Sequence, residues 1–386
     1  MNLSVPFRLA WSQLAQHPAK LATGVSGVVF ACVLIFAQLG FKGALFDSAT
    51  AVQAGLTGDI FLIHRNTDTL MQTHAFPRAR LYQALAVDGV AQASPIYVGT
   101  GSWKNPWNAT RRAMFVFGID PGNCALNFSG LREGLPLLKR DDTLLFDERS
   151  RPEFGDIKGA LRNSSEIPVQ LSDRKVNAVG TFALGVGFTA DGNVITNEAT
   201  FMRIFRERTF AGPDIGILAL RPGADVLAVR DAIRARLPEE VRVLTHAEFV
   251  GVERAYWENN SPIGAIFSLG VIMGLIVGVV IVYQVLYTEI ANHLSEYATL
   301  KAIGYSHRFL VLLVGAAALI LAVMGFVPGV ALSLGLYKIV GDVAFLPMHL
   351  GLDRLGGVFF LTLAMCFGSA LLAVRRLQAA DPADVF

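Results

Sequence analysis

Four long stretches without charged side chains constrain this 386-residue chain more than any other feature of its sequence. Each is at least as long as the roughly 20 residues that an α-helix needs to cross about 30 Å of hydrocarbon. Hydrocarbon offers the backbone no hydrogen-bond partners, so a single apolar stretch of this length is stable there as a helix. We therefore predict four membrane-spanning helices, at residues 21–42, 262–288, 309–337 and 355–374. The first charge-free stretch ends at Phe41, and Lys42 is the last residue of the predicted span.

The segment 43–261 has a different composition. The whole chain is 53% apolar and only 17% charged, whereas this segment mixes polar and apolar residues as a soluble domain does. We expect one large aqueous domain between the first and second spans. Twenty residues precede the first span and no clear cleavage pattern follows it, so we expect a permanent anchor rather than a signal peptide.

Residues 1–20 carry an amphipathic pattern. Leu3, Phe7, Trp11 and Leu14 recur every three or four positions, with polar residues between them. This spacing predicts a helix that lies in the membrane interface with its aromatic face among the lipid headgroups. A short lead-in to the first span remains the alternative.

Strand-like and helix-like patterns alternate along the aqueous domain. The outer segments, about 54–120 and 210–245, have the pattern of two halves of one α+β unit, split by a strand-rich insertion at about 121–209. Asp225 is expected to begin a helix after a Pro-Gly turn. The predicted strands are 59–64, 113–119, 176–182, 194–196, 215–220 and 241–244, and the predicted helices are 78–87, 197–208 and 226–237.

The remaining segments connect these parts. Residues 44–53 and 245–260, which join the aqueous domain to the spans, are compatible with the helices of a stalk or with ordinary linkers. A short loop is expected at 338–354 and a tail at 375–386. Segment 289–308 alternates charged and apolar residues and reaches Gly304, which predicts a short amphipathic surface helix with a glycine end. Such a helix is a natural docking surface for a partner protein.

Motifs that carry chemistry are missing from this sequence. It has no phosphate-binding loop, no G-x-S-x-G elbow and no H-E-x-x-H pair. The Gly99/Gly101 and Gly185/Gly187 pairs are interpreted as flexible loops, and His246/Glu248 and Asp141/Asp142 as solvated surface. We therefore expect a non-catalytic chain without cofactor or metal. A net charge of +2 without a basic stripe also argues against a nucleic-acid partner.

Two spans carry glycines at helical spacing. Gly270, Gly274 and Gly278 lie on one face of the second span. In the third span, Gly325 and Gly329 lie on either side of Pro328, which is expected to kink the helix. Close packing within one subunit and a seam between two subunits are both open interpretations. Apart from Lys42 at the end of the first, the spans contain no Asp, Glu, Lys, Arg or His side chain that could form a proton or ion path, so we expect the energy for any transport to come from a separate protein.

The segment after the second span resembles a known family. Its sequence from Ser295 to Gly304 is similar to the coupling helix of the FtsX/MacB-type permease superfamily, the mechanotransmission or type VII group, with departures at Tyr297 and Ala298. The ending Ala380–Phe386 resembles the DevC-like branch. The resemblance implies that the coupling residues are Ser295, Glu296, Tyr297, Leu300, Lys301, Ala302 and Gly304.

This resemblance also implies a fold and a function. The expected fold is four transmembrane helices plus an α+β extracytoplasmic domain, with porter-like halves split by a Sabre-like insertion. The expected assembly is a homodimer in the bacterial inner membrane with a separate ABC ATPase that binds ATP and Mg, a periplasmic adaptor (membrane fusion protein) and an outer-membrane channel. Such a permease exports a lipid, glycolipid or other amphipathic substrate. An FtsX-like regulator that activates a periplasmic hydrolase is the alternative.

Orientation follows from the same resemblance. It places both termini in the cytoplasm and the large domain in the periplasm, whereas the Lys and Arg count of the short loops favours this orientation only weakly.

Overall fold

The computed structural model describes residues 4–187, 190–210, 212–294, 296, 299, 303, 305, 307–344 and 346–379. These residues fall into two compact units. One draws on residues 1–44, 263–344 and 348–386, and the other on residues 45–262 and 345–347. We call them the membrane unit and the aqueous unit, and each is described by itself.

Among its described residues, the membrane unit contains four helices that are long and apolar enough to cross a membrane. They are α2 (Pro18–Ala49), α10 (Ile263–Asn292), α11 (His307–Ala344) and α12 (Leu352–Ala379). The predicted fold class, four such helices plus an α+β domain, is confirmed. The helices extend beyond the charge-free windows, because polar residues outside the hydrocarbon can continue a helix. Residues 338–344, expected in a loop, accordingly belong to α11.

An additional helix, α1 (Ser4–Gln16), precedes the first span. Pro18 is the first residue of α2, a position that proline favours, which explains why the two helices are separate. Helix α1 packs along α11 and buries Ala10 and Leu14, while Phe7 and Trp11 remain 44% and 47% exposed. Leu14 therefore belongs to the core of the membrane unit, and the exposed aromatic face is narrower than the sequence pattern indicated.

The described residues of the aqueous unit form a nine-stranded sheet with strand order β3-β7-β4-β6-β5-β2-β8-β1-β9. The strands are β1 (Ile60–His64), β2 (Val90–Lys104), β3 (Arg111–Ile119), β4 (Thr143–Asp147), β5 (Ile167–Leu171), β6 (Arg174–Phe182), β7 (Asn193–Asn197), β8 (Ile215–Leu220) and β9 (Val241–Thr245). Its helices are α3 (Ala51–Ala54), α4 (Ala79–Leu85), α5 (Leu131–Gly134), α6 (Ile157–Leu161), α7 (Glu198–Ile204), α8 (Val226–Arg236) and α9 (His246–Asn260).

The long strand β2 joins two parts of this sheet. Its first half pairs antiparallel with β8, which continues to β1 and β9. Its second half pairs with β3 and, at its end, with β5, and these pairings close a ring of six strands. The two outer segments are thus interleaved in the β2-β8-β1-β9 part, and the strands of the segment between them complete the ring.

Alternation along β1 shows how the four-stranded part is covered on both faces. Ile60 and Leu62 pack in one apolar cluster with residues of α4 and α8, whereas Phe61 and Ile63 pack in another with Phe249 of α9. Successive side chains of a strand point to opposite faces, so a strand buried on both sides reads as a continuous apolar run.

Strands β2, β4 and β5 were not predicted, and the loop interpretation of Gly99/Gly101 was wrong. Both glycines lie inside β2. A Cβ atom on Gly99 would lie 2.7 Å from the ring of Phe205, and one on Gly101 would lie 2.9 Å from a methyl group of Leu171. The glycines therefore make room for side chains that cover the strand, as glycine in a strand often does.

Candidate functional site

Most residues of the predicted coupling segment lie outside the described residues: Ser295, Tyr297, Leu300, Lys301, Ala302 and Gly304. Glu296 is described. Its Oε2 accepts a hydrogen bond from Gln13 Nε2 of α1 at 3.1 Å, and its Oε1 lies 3.0 Å from Nδ1 of His293. The hydrogen bond from His293, and then that from Gln13, lowers the pKa of the Glu296 carboxyl. Glu296 thus connects the segment after α10 to the amino-terminal helix.

His293 lies between two carboxylates. Its Nε2 is 3.2 Å from Oε1 of Glu289, on the opposite side of the ring from Glu296. His293 and Glu289 are both almost fully buried, at 6% and 5% exposure. The Nε2 to Oε1 approach does not have hydrogen-bond geometry, and neither atom has another hydrogen-bond partner in the part of the chain that the structure describes.

A small cavity of about 10 Å³ lies beside this cluster. Gln13 and Glu289 are its polar lining residues, and the rest of the lining is apolar. A cavity of this size has room for about one water molecule. The cluster of Gln13, Glu289, His293 and Glu296, which we call the α10-end cluster, was missed because Glu289 was placed outside the span. The spacing of Glu289, His293 and Glu296, at i, i+4 and i+7, could have indicated it.

The glycines predicted to pack in the second and third spans, which are α10 and α11, face α2. Added Cβ atoms at Gly274 and Gly278 would lie 3.1 Å from Ile35 and 2.8 Å from Ala31 of that helix, and Gly270 lies against Gln38. Gly325 and Gly329 of α11 also lie against α2, at Val28 and Cys32. Helix α11 continues through Pro328. The structure thus brings the five glycines together around one helix, as small residues do in membrane bundles.

The described residues contain no group of three or more His, Cys, Asp or Glu side chains that could hold a metal ion. His246 and Glu248 have structural partners and are not simply solvated. The His246 ring stacks on Phe61 at 5.4 Å, and Glu248 forms a capping box with Thr245 at the start of α9. Asp142 is fixed by two hydrogen bonds from Arg174, at 2.7 and 2.9 Å.

Sequence reasoning missed a second buried carboxylate, that of Glu253 in α9. It is 3% exposed and accepts hydrogen bonds from four donors of the aqueous unit. Its helix reads as polar over 245–260, and a single glutamate on a polar helix gives no signal of burial. The donors come from positions far away in the sequence.

Comparison with known proteins identifies one part of the chain. Residues 268–382 match the model of the FtsX-like permease C-terminal family. A search of curated proteins finds no significant match.

Two solved structures show a distant likeness. The periplasmic region of MacB from Actinobacillus actinomycetemcomitans has a TM-score of 0.37 at 8% identity, covering 53% of this chain and 95% of that chain. The extracellular domain of the noncanonic ABC-type transporter YknZ from Gram-positive bacteria has a TM-score of 0.35 at 12% identity, covering 49% and 99%. Neither likeness assigns a function to this chain.

Proposed function

We propose that this chain is the membrane permease subunit of an ATP-driven ABC exporter, of the DevC-like branch of the FtsX/MacB-type superfamily. The observation that carries the proposal is the family match over residues 268–382, which includes α11, α12, most of α10 and the segment between α10 and α11. The subunit itself is non-catalytic, and a separate ABC ATPase binds and hydrolyses ATP. This agrees with the absence of a phosphate-binding loop from the sequence.

Force is transmitted in this proposal without substrate passing between the spans. The ATPase docks on residues 295–304 and moves them when its nucleotide site closes. Glu296 supports this role because its carboxylate bonds to both Gln13 and His293, so a displacement of the docking segment also acts on α1 and α10. The charge-free runs of the spans fit a lever better than an aqueous pore.

The proposed assembly is a homodimer in the bacterial inner membrane with cytoplasmic termini and a periplasmic domain. Helix α10 offers a face for lipid or a second subunit, because its apolar side chains at Leu269, Met273, Ile276 and Val280 are at least half exposed. A periplasmic adaptor and an outer-membrane channel complete a tripartite system. The exported substrate is a lipid, glycolipid or other amphipathic molecule.

Co-purification with chemical crosslinking tests this function. The full chain, extracted from its native membrane, is expected to bring down an ABC ATPase, and crosslinks are expected to map to residues 295–304. The purified chain alone is expected to show no ATP hydrolysis. Hydrolysis by the chain alone, or a hydrolase as the crosslinked periplasmic partner in place of an adaptor, would contradict the proposal.

Substitution of the docking segment tests the coupling step. Glu296→Ala and Lys301→Ala are expected to lower export and the stimulated ATPase activity of the complex, while the amount of chain in the membrane stays unchanged. Glu258→Ala, at an exposed glutamate of α9, is the matched control and is expected to behave as the wild type. Normal export in both docking variants would overturn the assigned role of this segment.

A further inference from the structure

The Glu253 carboxylate connects three segments of the aqueous unit. Gln53 Nε2 of α3 donates to it at 2.9 Å, and Trp257 Nε1, one turn later in α9, also donates at 2.9 Å. The turn before α4 supplies the other two donors, the Thr69 hydroxyl at 2.8 Å and the Leu70 backbone N–H at 2.9 Å. Both carboxylate oxygens are used, and their donors lie up to 200 positions away in the sequence.

Within the part of the chain that the structure describes, the donors to this buried carboxylate are all neutral. None of the ion pairs among the described residues includes Glu253. Burial raises the pKa of its carboxyl, and the hydrogen bonds from Thr69, Trp257, Leu70 and Gln53 each oppose that shift. A buried acceptor with a full set of directional bonds fixes the position of every group that bonds to it.

Further contacts join the same helices on either side of Glu253. His246 Nε2 lies 2.9 Å from the backbone oxygen of Gln53, and Arg254 Nη2 lies 3.6 Å from Asp47 near the end of α2. Phe249 stacks on Phe61 of β1 at 4.8 Å. Helix α9 is thus fastened to the chain that leaves the first span, to the central sheet and to the turn before α4.

The position of these helices in the chain gives the contacts their significance. The chain leaves α2 at Ala49 and enters α3 at Ala51, whereas α9 ends at Asn260, shortly before α10 begins at Ile263. Every force that the first two spans exert on the aqueous unit along the chain passes through α3 or α9.

We infer that Glu253 is a positioning residue that fastens α3, α9 and the turn 69–72 into one rigid joint. Hydrogen bonds of 2.8–2.9 Å are lost when donor and acceptor separate by about 1 Å more, so small sliding of α9 breaks several bonds at once. The joint therefore resists sliding, and motion of the helices moves the whole domain. This last step rests on the proposed function; the rigidity of the joint does not.

Distance measurement between two spin labels tests the joint in the full chain in lipid nanodiscs. The labels are attached to cysteines introduced at Asn259 of α9 and at Tyr82 of α4, which is 62% exposed, with Cys124 replaced by serine. The wild type is expected to give a narrow distance distribution. Glu253→Ala is expected to broaden it by about twofold through local opening. The control Glu258→Ala is expected to leave it narrow.

Graded variants keep the test decisive if Glu253→Ala fails to fold. Glu253→Gln retains one acceptor oxygen and Trp257→Phe removes one donor, so each is expected to broaden the distribution less than the loss of the carboxylate does. A distribution as narrow as the wild type in Glu253→Gln and Trp257→Phe, and in Glu253→Ala where it folds, overturns the inference.

A second measurement separates this inference from the proposed function. In the complex with its co-purified ATPase, addition of MgATP and vanadate is expected to leave the wild-type distance unchanged, because α9 and the domain move together. In the Glu253 variants the distance is expected to change on addition of MgATP and vanadate, while ATP hydrolysis measured without vanadate stays at the wild-type rate, which a merely destabilised chain would not show. Broadening without any co-purifying ATPase contradicts only the proposed function. If the docking variants lose export but the distance distribution of the Glu253 variants stays as narrow as that of the wild type, only the inference about the joint is contradicted.

Discussion

The two units hold their buried glutamates in different ways. Glu253 of the aqueous unit accepts hydrogen bonds from four donors, whereas the Glu289 side chain of the membrane unit has one oxygen, Oε1, without a hydrogen-bond partner among the described residues. The membrane unit instead depends on close helix contacts, as at Gly325 against Val28. At these sites, directional hydrogen bonds hold α9 in the aqueous unit, whereas close backbone packing holds α11 against α2 in the membrane unit. The energetic cost of a substitution should follow this difference.

The largest effect is expected for Glu253→Leu. Four donors would lose a charged acceptor in a buried site, and unsatisfied groups cost roughly 1–3 kcal/mol each, so we expect a loss of at least about 3 kcal/mol. This corresponds to a fall of about 6–12 °C in the apparent melting temperature of a unit of this size. Tryptophan fluorescence of the full chain in detergent measures it, because three of the four tryptophans lie in the aqueous unit.

Glu258→Leu is the control for this substitution. The residue is exposed on the same helix, so the expected change is within about 0.5 kcal/mol. Equal melting temperatures for the two variants would show that the four hydrogen bonds contribute nothing net, and the contrast between the units would then be wrong.

The next effect is expected in the membrane unit, for Gly325→Ala. The new methyl group would lie 2.5 Å from Cβ of the buried Val28 and 3.3 Å from a backbone oxygen of Val25, so α2 and α11 must separate. Overpacking of this kind costs about 1–3 kcal/mol. Gly335→Ala in the same helix has nothing within 4 Å of its new methyl group and is the matched control. The stability of both variants is measured from the loss of their helical circular dichroism signal on heating.

Equal stability of the two alanine variants would contradict this prediction. It would mean that α2 and α11 can move apart without cost, and that the glycine at position 325 is not required for packing. A gain in stability from Gly335→Ala alone is compatible with the prediction for Gly325→Ala, since alanine is a better helix former than glycine.

How far the sequence could predict these features depends on whether their causes are local. The spans were predictable because the need for about 20 apolar residues acts on consecutive positions. Strand β2 was not, because Gly99 and Gly101 suggest a loop until Phe205 and Leu171 are known to cover them. The role of Glu253 depends on donors far away in the sequence, such as Gln53 and Thr69, and no local pattern encodes them.

A smaller, pH-dependent effect is expected at Asp142. The hydrogen bonds from Arg174 lower the pKa of its carboxyl, so the folded chain holds the carboxylate more strongly than the unfolded chain does. The stabilisation is therefore complete above the unfolded pKa of about 4 and is lost as the pH falls through the lower folded value. Solvent screens this partly exposed pair, so its contribution is roughly 0.5–1 kcal/mol.

Asp142→Asn measures this contribution and suits the backbone, because asparagine tolerates the positive φ of 56° at this position. The variant is expected to melt below the wild type at pH 7 and to approach it at about pH 3. Asp173→Asn, at an exposed neighbour, is expected to show no such convergence. A constant difference between Asp142→Asn and the wild type at both pH values would contradict the assignment to the carboxylate.

The smallest effect is expected for Glu289→Gln, which most directly tests the comparison between the two carboxylates. Glutamine keeps the shape and an acceptor oxygen near His293 but removes the cost of burying a charge, so the change should lie within about 0.5 kcal/mol or be slightly stabilising. The same substitution at Glu253 should lower the stability more, because an NH2 group, which only donates, replaces one of the two oxygens that accept hydrogen bonds. The melting temperatures of Glu289→Gln and Glu253→Gln, measured under the same conditions, test this difference. If Glu289→Gln costs as much as Glu253→Gln, the α10-end cluster is bonded as firmly as the joint in the aqueous unit, and the two units do not differ in the way described.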